Sequence, residues 1–121
     1  MTDTELARLK ELEEELGADV AIELVELFLE DAPKQVETMR AGLEGGDAEG
    51  LKRAAHSLKG SCSNLGLKAL AGNAAALEQH VAKQGIEGAT PLLDAVGVEQ
   101  KRLHGALETL AAELRAKIGA S

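Results

Sequence analysis

Residues Ala54 to Gly66 read A-A-H-S-L-K-G-S-C-S-N-L-G, and the spacing of their apolar members predicts a helix with one dry and one wet side. At about 100° per residue, Leu51, Ala54, Ala55, Leu58, Cys62 and Leu65 fall within roughly 50° of one direction. His56, Lys59, Gly60 and Ser63 lie about 80° to 180° away from it, with Lys52 one turn before the histidine. Arg53 lies roughly 60° further round. The segment therefore buries one stripe and turns outward a histidine, two flanking ammonium groups and a bare length of backbone.

The rest of the chain repeats the helical period. A first helix is expected from about 4 to 16, with Leu6, Leu9, Leu12 and Leu16 on one side. Gly17 stops it and Asp19 is the expected cap of the next. The second, about 20 to 43, keeps the stripe Ala21, Val25, Phe28, Ala32, Val36, Met39, Leu43. That stripe holds its phase across Pro33, which favours one helix, kinked there, over two. A second apolar face, Val20, Leu24 and Leu27, ends at Asp31, and the first helix is expected to cover it.

Gly45-Gly46-Asp47 then combines a stop with a cap. The third helix, about 48 to 64, ends at Gly66, and the fourth, about 67 to 84, buries Leu70, Ala74, Leu77 and Val81 before Gly85. Thr90 as cap and Pro91 in the first turn open the last, with the stripe Leu92, Val96, Leu103, Leu107, Leu110, Leu114, Ile118. Ala74 to Ala76, Gly97 and Gly105 are read as points of close helix approach. No alternating strand pattern competes. The expected fold is all-α: one domain over residues 1–121, an antiparallel up-and-down four-helix bundle (core about 19–118) with a short additional N-terminal helix.

Composition narrows the function. The 121 residues carry a formal net charge of -8, with Phe28 as the lone aromatic. Such a surface repels phosphate backbones and offers bases nothing to stack on, which argues against nucleic-acid binding. No stretch reaches the roughly 20 apolar residues of a membrane span, and no leader is visible at M-T-D-T-E-L-A, so a cytoplasmic location is expected. The single cysteine, Cys62, falls on the dry stripe and reads as a small core residue. Because the apolar stripes look consumed by the bundle, a monomer is expected.

The wet side of the third helix suits phosphoryl chemistry. A neutral imidazole is a nucleophile near neutral pH. Lys52 and Lys59 favour the uncharged ring and then stabilise a dianionic phosphoryl group placed on it. Gly60 is the sharper clue, because glycine inside a helix costs ~1 kcal/mol relative to alanine. It lies on the exposed side, where core packing gives no reason for it and the close approach of a partner does.

The stretch A-A-H-S-L-K-G-S-C-S-N-L-G, followed by L-A-G-N-A-A-A-L-E, resembles the signature of histidine-containing phosphotransfer (HPt) domains of bacterial phosphorelays. Upstream, E-L-V-E-L-F-L-E-D-A-P of Glu23 to Pro33 resembles the preceding helix of that family. Together these cover roughly residues 20 to 82. The resemblance implies a four-helix bundle whose His56 accepts phosphoryl from the aspartate of one receiver domain and passes it to another. It implies that Lys59 steadies the phosphoryl oxygens and that Gly60 leaves room for the partner. From their positions on the helix, Lys52, Arg53 and Ser63 are expected to take part in binding that partner. Partners would be response-regulator receiver domains and a hybrid histidine kinase. The chain would be a phosphocarrier without kinase activity or cofactor of its own, the Mg²⁺ belonging to the receiver; it has no glycine-rich phosphate loop.

Two other readings compete: a helical bundle that only binds a partner, and the phosphotransfer segment of a chemotaxis-type kinase, expected in a longer chain. A metal site built on His56, His80 and His104 is disfavoured, since the paired i, i+3 ligands of bundle metal sites are missing. Nucleophilic hydrolysis through Ser57, Ser61 or Ser63 lacks a placed base.

Overall fold

The computed structural model describes residues 1–119; residues 120–121 of the expected domain lie outside the described residues. Five helices follow one another: α1 (Asp3–Leu16), α2 (Ala18–Gly45), α3 (Ala48–Leu65), α4 (Lys68–Gln84) and α5 (Thr90–Gly119). α3 packs on α2 and α4, and α5 closes the ring by packing on the same two helices. The connections Gly46–Asp47, Gly66–Leu67 and 85–89 are too short for crossovers, so successive helices run antiparallel. α1 lies against α2 and touches the end of α3. This is the expected four-helix bundle with its extra N-terminal helix.

Turn chemistry explains the boundaries. α2 ends at Gly46 and α3 at Gly66, both left-handed (φ 73° and 72°), a conformation that glycine adopts without strain. Asp47 caps α3 by accepting from the Gly50 N–H at 2.9 Å. α2 runs unbroken through Pro33. The third and fourth helices bury the stripes their spacing predicts: Leu51, Ala54, Ala55, Leu58, Cys62 and Leu65 in α3, and Leu70, Ala74, Leu77 and Val81 in α4.

Several expectations need correction. α1 begins at Asp3 because Thr2 forms a capping box with Glu5: the Thr2 hydroxyl accepts from the Glu5 N–H, and the Glu5 carboxylate accepts from the Thr2 N–H. Asp19 caps nothing. Gly17 ends α1 and starts α2 by itself, leaving Asp19 in the first turn, where its charge suits the helix dipole. Thr90 is likewise the first residue of α5 rather than its cap.

α1 is a looser cover than its leucines suggest. Leu9 and Leu12 are buried, but Leu6 and Leu16 are partly exposed, and Glu5 is buried in their place. It leaves Leu27 of α2 63% exposed, so the second face of α2 is only half covered and the apolar stripes are not all consumed within the bundle. In α5 the buried line shifts to Leu93, Gly97, Gln100 and Ala111 beside Val96, Leu103, Leu107 and Leu114, with Leu92 and Leu110 half-buried and Ile118 exposed. Gly97 makes room for the Arg40 guanidinium rather than for a helix backbone, and Gly105 faces open space.

Candidate functional site

α3 carries its stripe so regularly that the orientation of its outer residues is fixed. With Ala55 and Leu58 fully buried, His56 can only point outward, and its side chain is 66% exposed. Gly60 is exposed one turn on, and a β-carbon placed there would meet nothing within 4 Å. Ser63 is exposed beyond it, its hydroxyl donating to the Lys59 carbonyl at 2.9 Å. The backbone is bare at Gly60, one turn past the imidazole.

The neighbour of the ring comes from α4. His56 Nδ1 lies 2.8 Å from Glu78 Oε2, and Lys59 Nζ lies 2.8 Å from Glu78 Oε1. One carboxylate thus bridges the imidazole and the ammonium group. The hydrogen bond from Lys59 is the largest influence on this carboxyl and lowers its pKa from the ordinary 4.5; partial burial opposes this, and the bond with His56 adds to the lowering. At neutral pH Glu78 is a carboxylate, which can only accept. Nδ1 therefore donates, and the lone pair of the neutral ring is left on Nε2, the nitrogen away from Glu78.

Glu78 was missing from the residues that the sequence points to. Its signal is faint but real: it is the sole acidic side chain of α4, next to the buried Leu77 and just after Ala74-Ala75-Ala76. Small residues there let α4 lie close enough to α3 for a carboxylate to reach across. The two lysines are also less alike than their spacing implies. Lys59 joins the His56 cluster, whereas Lys52 pairs with Glu49 at 3.2 Å, one turn back along α3. The charge closest to the ring is accordingly Glu78. Arg53 is exposed on the same helix.

The other histidines stand apart from this site. His80 donates from Nε2 to the Glu87 carbonyl at 2.6 Å and so ties down the turn after α4. His104 faces Glu108, one turn along α5, at 3.6 Å. Among the described residues, no group of three or more His, Cys, Asp or Glu could hold a metal ion. Cys62 is fully buried, and burial, helped by the nearby Glu5 charge, pushes its thiol up to about 12. Among the described residues no helix is long and apolar enough to cross a membrane.

A helical bundle that presents an exposed imidazole, with its ring oriented by a carboxylate and a lysine one turn away, is an arrangement suited to carrying a phosphoryl group. The Hpt domain family matches residues 23–117, and the chain belongs to it. It is 31% identical to histidine-containing phosphotransfer protein 5 of Arabidopsis thaliana over 111 residues, 89% of this chain and 71% of that protein. The crystal structure of histidine-containing phosphotransfer protein B (HptB) from Pseudomonas aeruginosa PAO1 superposes with a TM-score of 0.82 at 27% identity. That match covers 88% of this chain and 92% of the other. The role that goes with the family is phosphotransfer in a phosphorelay, as a phosphocarrier that meets receiver domains.

Proposed function

We propose that His56 is the residue that carries the phosphoryl group, accepting it at Nε2 from a receiver aspartate and passing it to a second receiver. The observation that supports this most is the exposed ring itself, held through Nδ1 by Glu78 at 2.8 Å so that the nucleophilic nitrogen faces the solvent. As Nε2 approaches phosphorus, negative charge spreads over the equatorial oxygens, where a nearby cation contributes most. Lys59 is that cation, drawn from Glu78 toward the incoming group. Gly60 and Ser63 leave space for the receiver's active-site loops, and Lys52 and Arg53 lie where its acidic residues approach.

The chain supplies the nucleophile and the cation. Mg²⁺ and the acid residues belong to the receiver, so this protein needs no cofactor and has no kinase activity. One copy presents every group required, and a monomer suffices. A cytoplasmic location goes with this reading.

The test is incubation with a phosphorylated receiver domain, following acid-labile phosphate on the wild type and on His56→Gln. Labelling of the wild type and none of the variant is the expected result. Equal labelling of both rejects His56 as the carrier, and no labelling of either leaves a binding-only bundle. ATP alone should leave the protein unlabelled.

A further inference from the structure

Past Gly60 the outer side of α3 forms a ridge with a groove along each flank. Ser63 and Asn64 are exposed on this ridge and continue, by about one turn, the face that carries His56 and Gly60. On the α2 flank, Leu24, Leu27, Phe28 and Asp31 share a groove with Ser61 and Asn64. On the α4 flank, Lys68 shares a groove with Ser63 and Gly66, lined also by Arg8 and Glu11 of α1.

The two grooves are unlike. The first is apolar, with Leu27 63% exposed in its wall, and its single charge is the half-buried carboxylate of Asp31. The second is polar. Its Arg8 is taken by Glu11 at 3.2 Å and Glu15 at 3.9 Å, which leaves the exposed ammonium group of Lys68 as the spare charge. Among the described residues, the side chains of Asp31 and Lys68 have no ion-pair or hydrogen-bond partner. Their neighbours do: Lys34 pairs with Glu30, Lys52 with Glu49, and Lys59 with Glu78. An uncompensated carboxylate and an uncompensated ammonium group thus stand on opposite flanks of one ridge.

A receiver that presents its aspartyl phosphate to Nε2 is fixed at one point and can still turn about it. Bare backbone at Gly60 admits the receiver without choosing the turn. Opposite charges on the two flanks do choose: one setting pairs both, and the setting half a turn away brings like charges together.

Resting on His56 as the carrier, we propose that Asp31 and Lys68 set the orientation in which a receiver docks across α3. The partner this surface fits lays an apolar side chain with a cation beside it along the α2 flank, and a carboxylate along the α4 flank. Neither Asp31 nor Lys68 belongs to the cluster of His56, Lys59 and Glu78, so both act on encounter and orientation and not on the exchange of bonds. A second copy of this chain fits less well, because a net charge of -8 on each copy opposes association.

The experiment uses the full chain as wild type, Asp31→Lys, Lys68→Glu and the double variant. The probe is a phosphorylated receiver domain that labels His56 in the assay above. Second-order transfer rates are measured at about 20 and about 200 mM NaCl, where charges are weakly and strongly screened. Each rate is taken relative to labelling by phosphoramidate, a small donor that needs neither groove, so that damage to the fold or the imidazole is divided out. Asp31→Lys makes the net charge two units more positive, Lys68→Glu two units more negative, and the double variant keeps -8. An orienting pair predicts slower transfer in all three variants, by roughly tenfold at the lower salt and much less at the higher. The double variant should be the slowest.

Single variants moving in opposite directions, with the double at the wild-type rate, would reduce the effect to net charge and overturn the proposal. Equal rates in all four proteins would overturn it too. So would self-association of the wild type that either reversal abolishes, which would give the grooves to a second copy. Failure of phosphoramidate and receiver domains alike to label His56 in the wild type would instead remove the carrier reading, and this inference with it.

Discussion

Two glutamates in this molecule face opposite fates. Glu78, on the α3–α4 wall, keeps 20% of its side chain exposed and has both oxygens engaged, one by Lys59 and one by His56. Glu5, under α1, is 1% exposed; one oxygen accepts from the Thr2 N–H, and the other has no hydrogen-bond partner among the described residues. The first carboxylate is compensated and within reach of solvent, so its charge is available to a reaction. The second is sunk in a seam, where it completes a helix cap and its charge disfavours ionisation of Cys62 and favours the charged form of Arg102. Chemistry is kept on the wall and anchoring in the seam, and the two should be separable by mutation.

The largest expected effect lies in the seam. Moving the Cys62 thiol from 9.0 to about 12 makes its reactive thiolate about a thousandfold scarcer. Alkylation of the folded protein near pH 8 should be slower than in urea by at least that factor. Glu5→Gln should speed it only modestly, because burial is the larger cause. Labelling of the native protein at the unfolded rate would mean that the seam is open.

Next comes packing. Leu12 is 7% exposed beneath α1, and Leu12→Ala should cost about 2 kcal/mol or more in urea unfolding. Thr2→Ala, which removes the hydroxyl of the capping box, should cost about 1 kcal/mol. Neither change should alter the rate of phosphoryl exchange with a receiver. A parallel loss of transfer would break the separation between seam and wall.

The smallest effect belongs to Glu78 itself. Its carboxyl is shifted below 4.5 in the folded protein, so the bridge stabilises above that value and the contribution fades as pH drops through the folded pKa. Urea midpoints of the wild type and Glu78→Gln should differ slightly at neutral pH and converge as the pH is lowered below 4.5. A large neutral-pH difference would make Glu78 a structural residue after all.

How much of this was legible in the sequence depended on whether a property belongs to one helix or to a pair. The two sides of α3 were readable in full, since the period of Leu51, Ala54, Ala55, Leu58, Cys62 and Leu65 settles them without reference to anything else. The same holds for α4 and for the glycine stops. Leu6, Leu16 and Leu27 misled because periodicity reveals an apolar face but not how completely a neighbouring helix covers it. Glu78 was out of view for a related reason: it meets Lys59 and His56 from 19 and 22 residues away, and no spacing rule within a helix reports that. The engagement of Lys52 by Glu49 was within reach, being an ordinary i, i+3 pair.

α2 and α5, at 28 and 30 residues, outrun α3 and α4, at 18 and 17. The surplus turns form an overhang, and α1 rests mainly on it, meeting α3 at the last turn through Arg8 over Gly66. Prying α1 away would therefore bare the flank of α2 while the imidazole and its carboxylate stayed in register. The chain's first helix reaches the proposed docking face at its rim, where Ser63 shares a groove with Arg8 and Glu11.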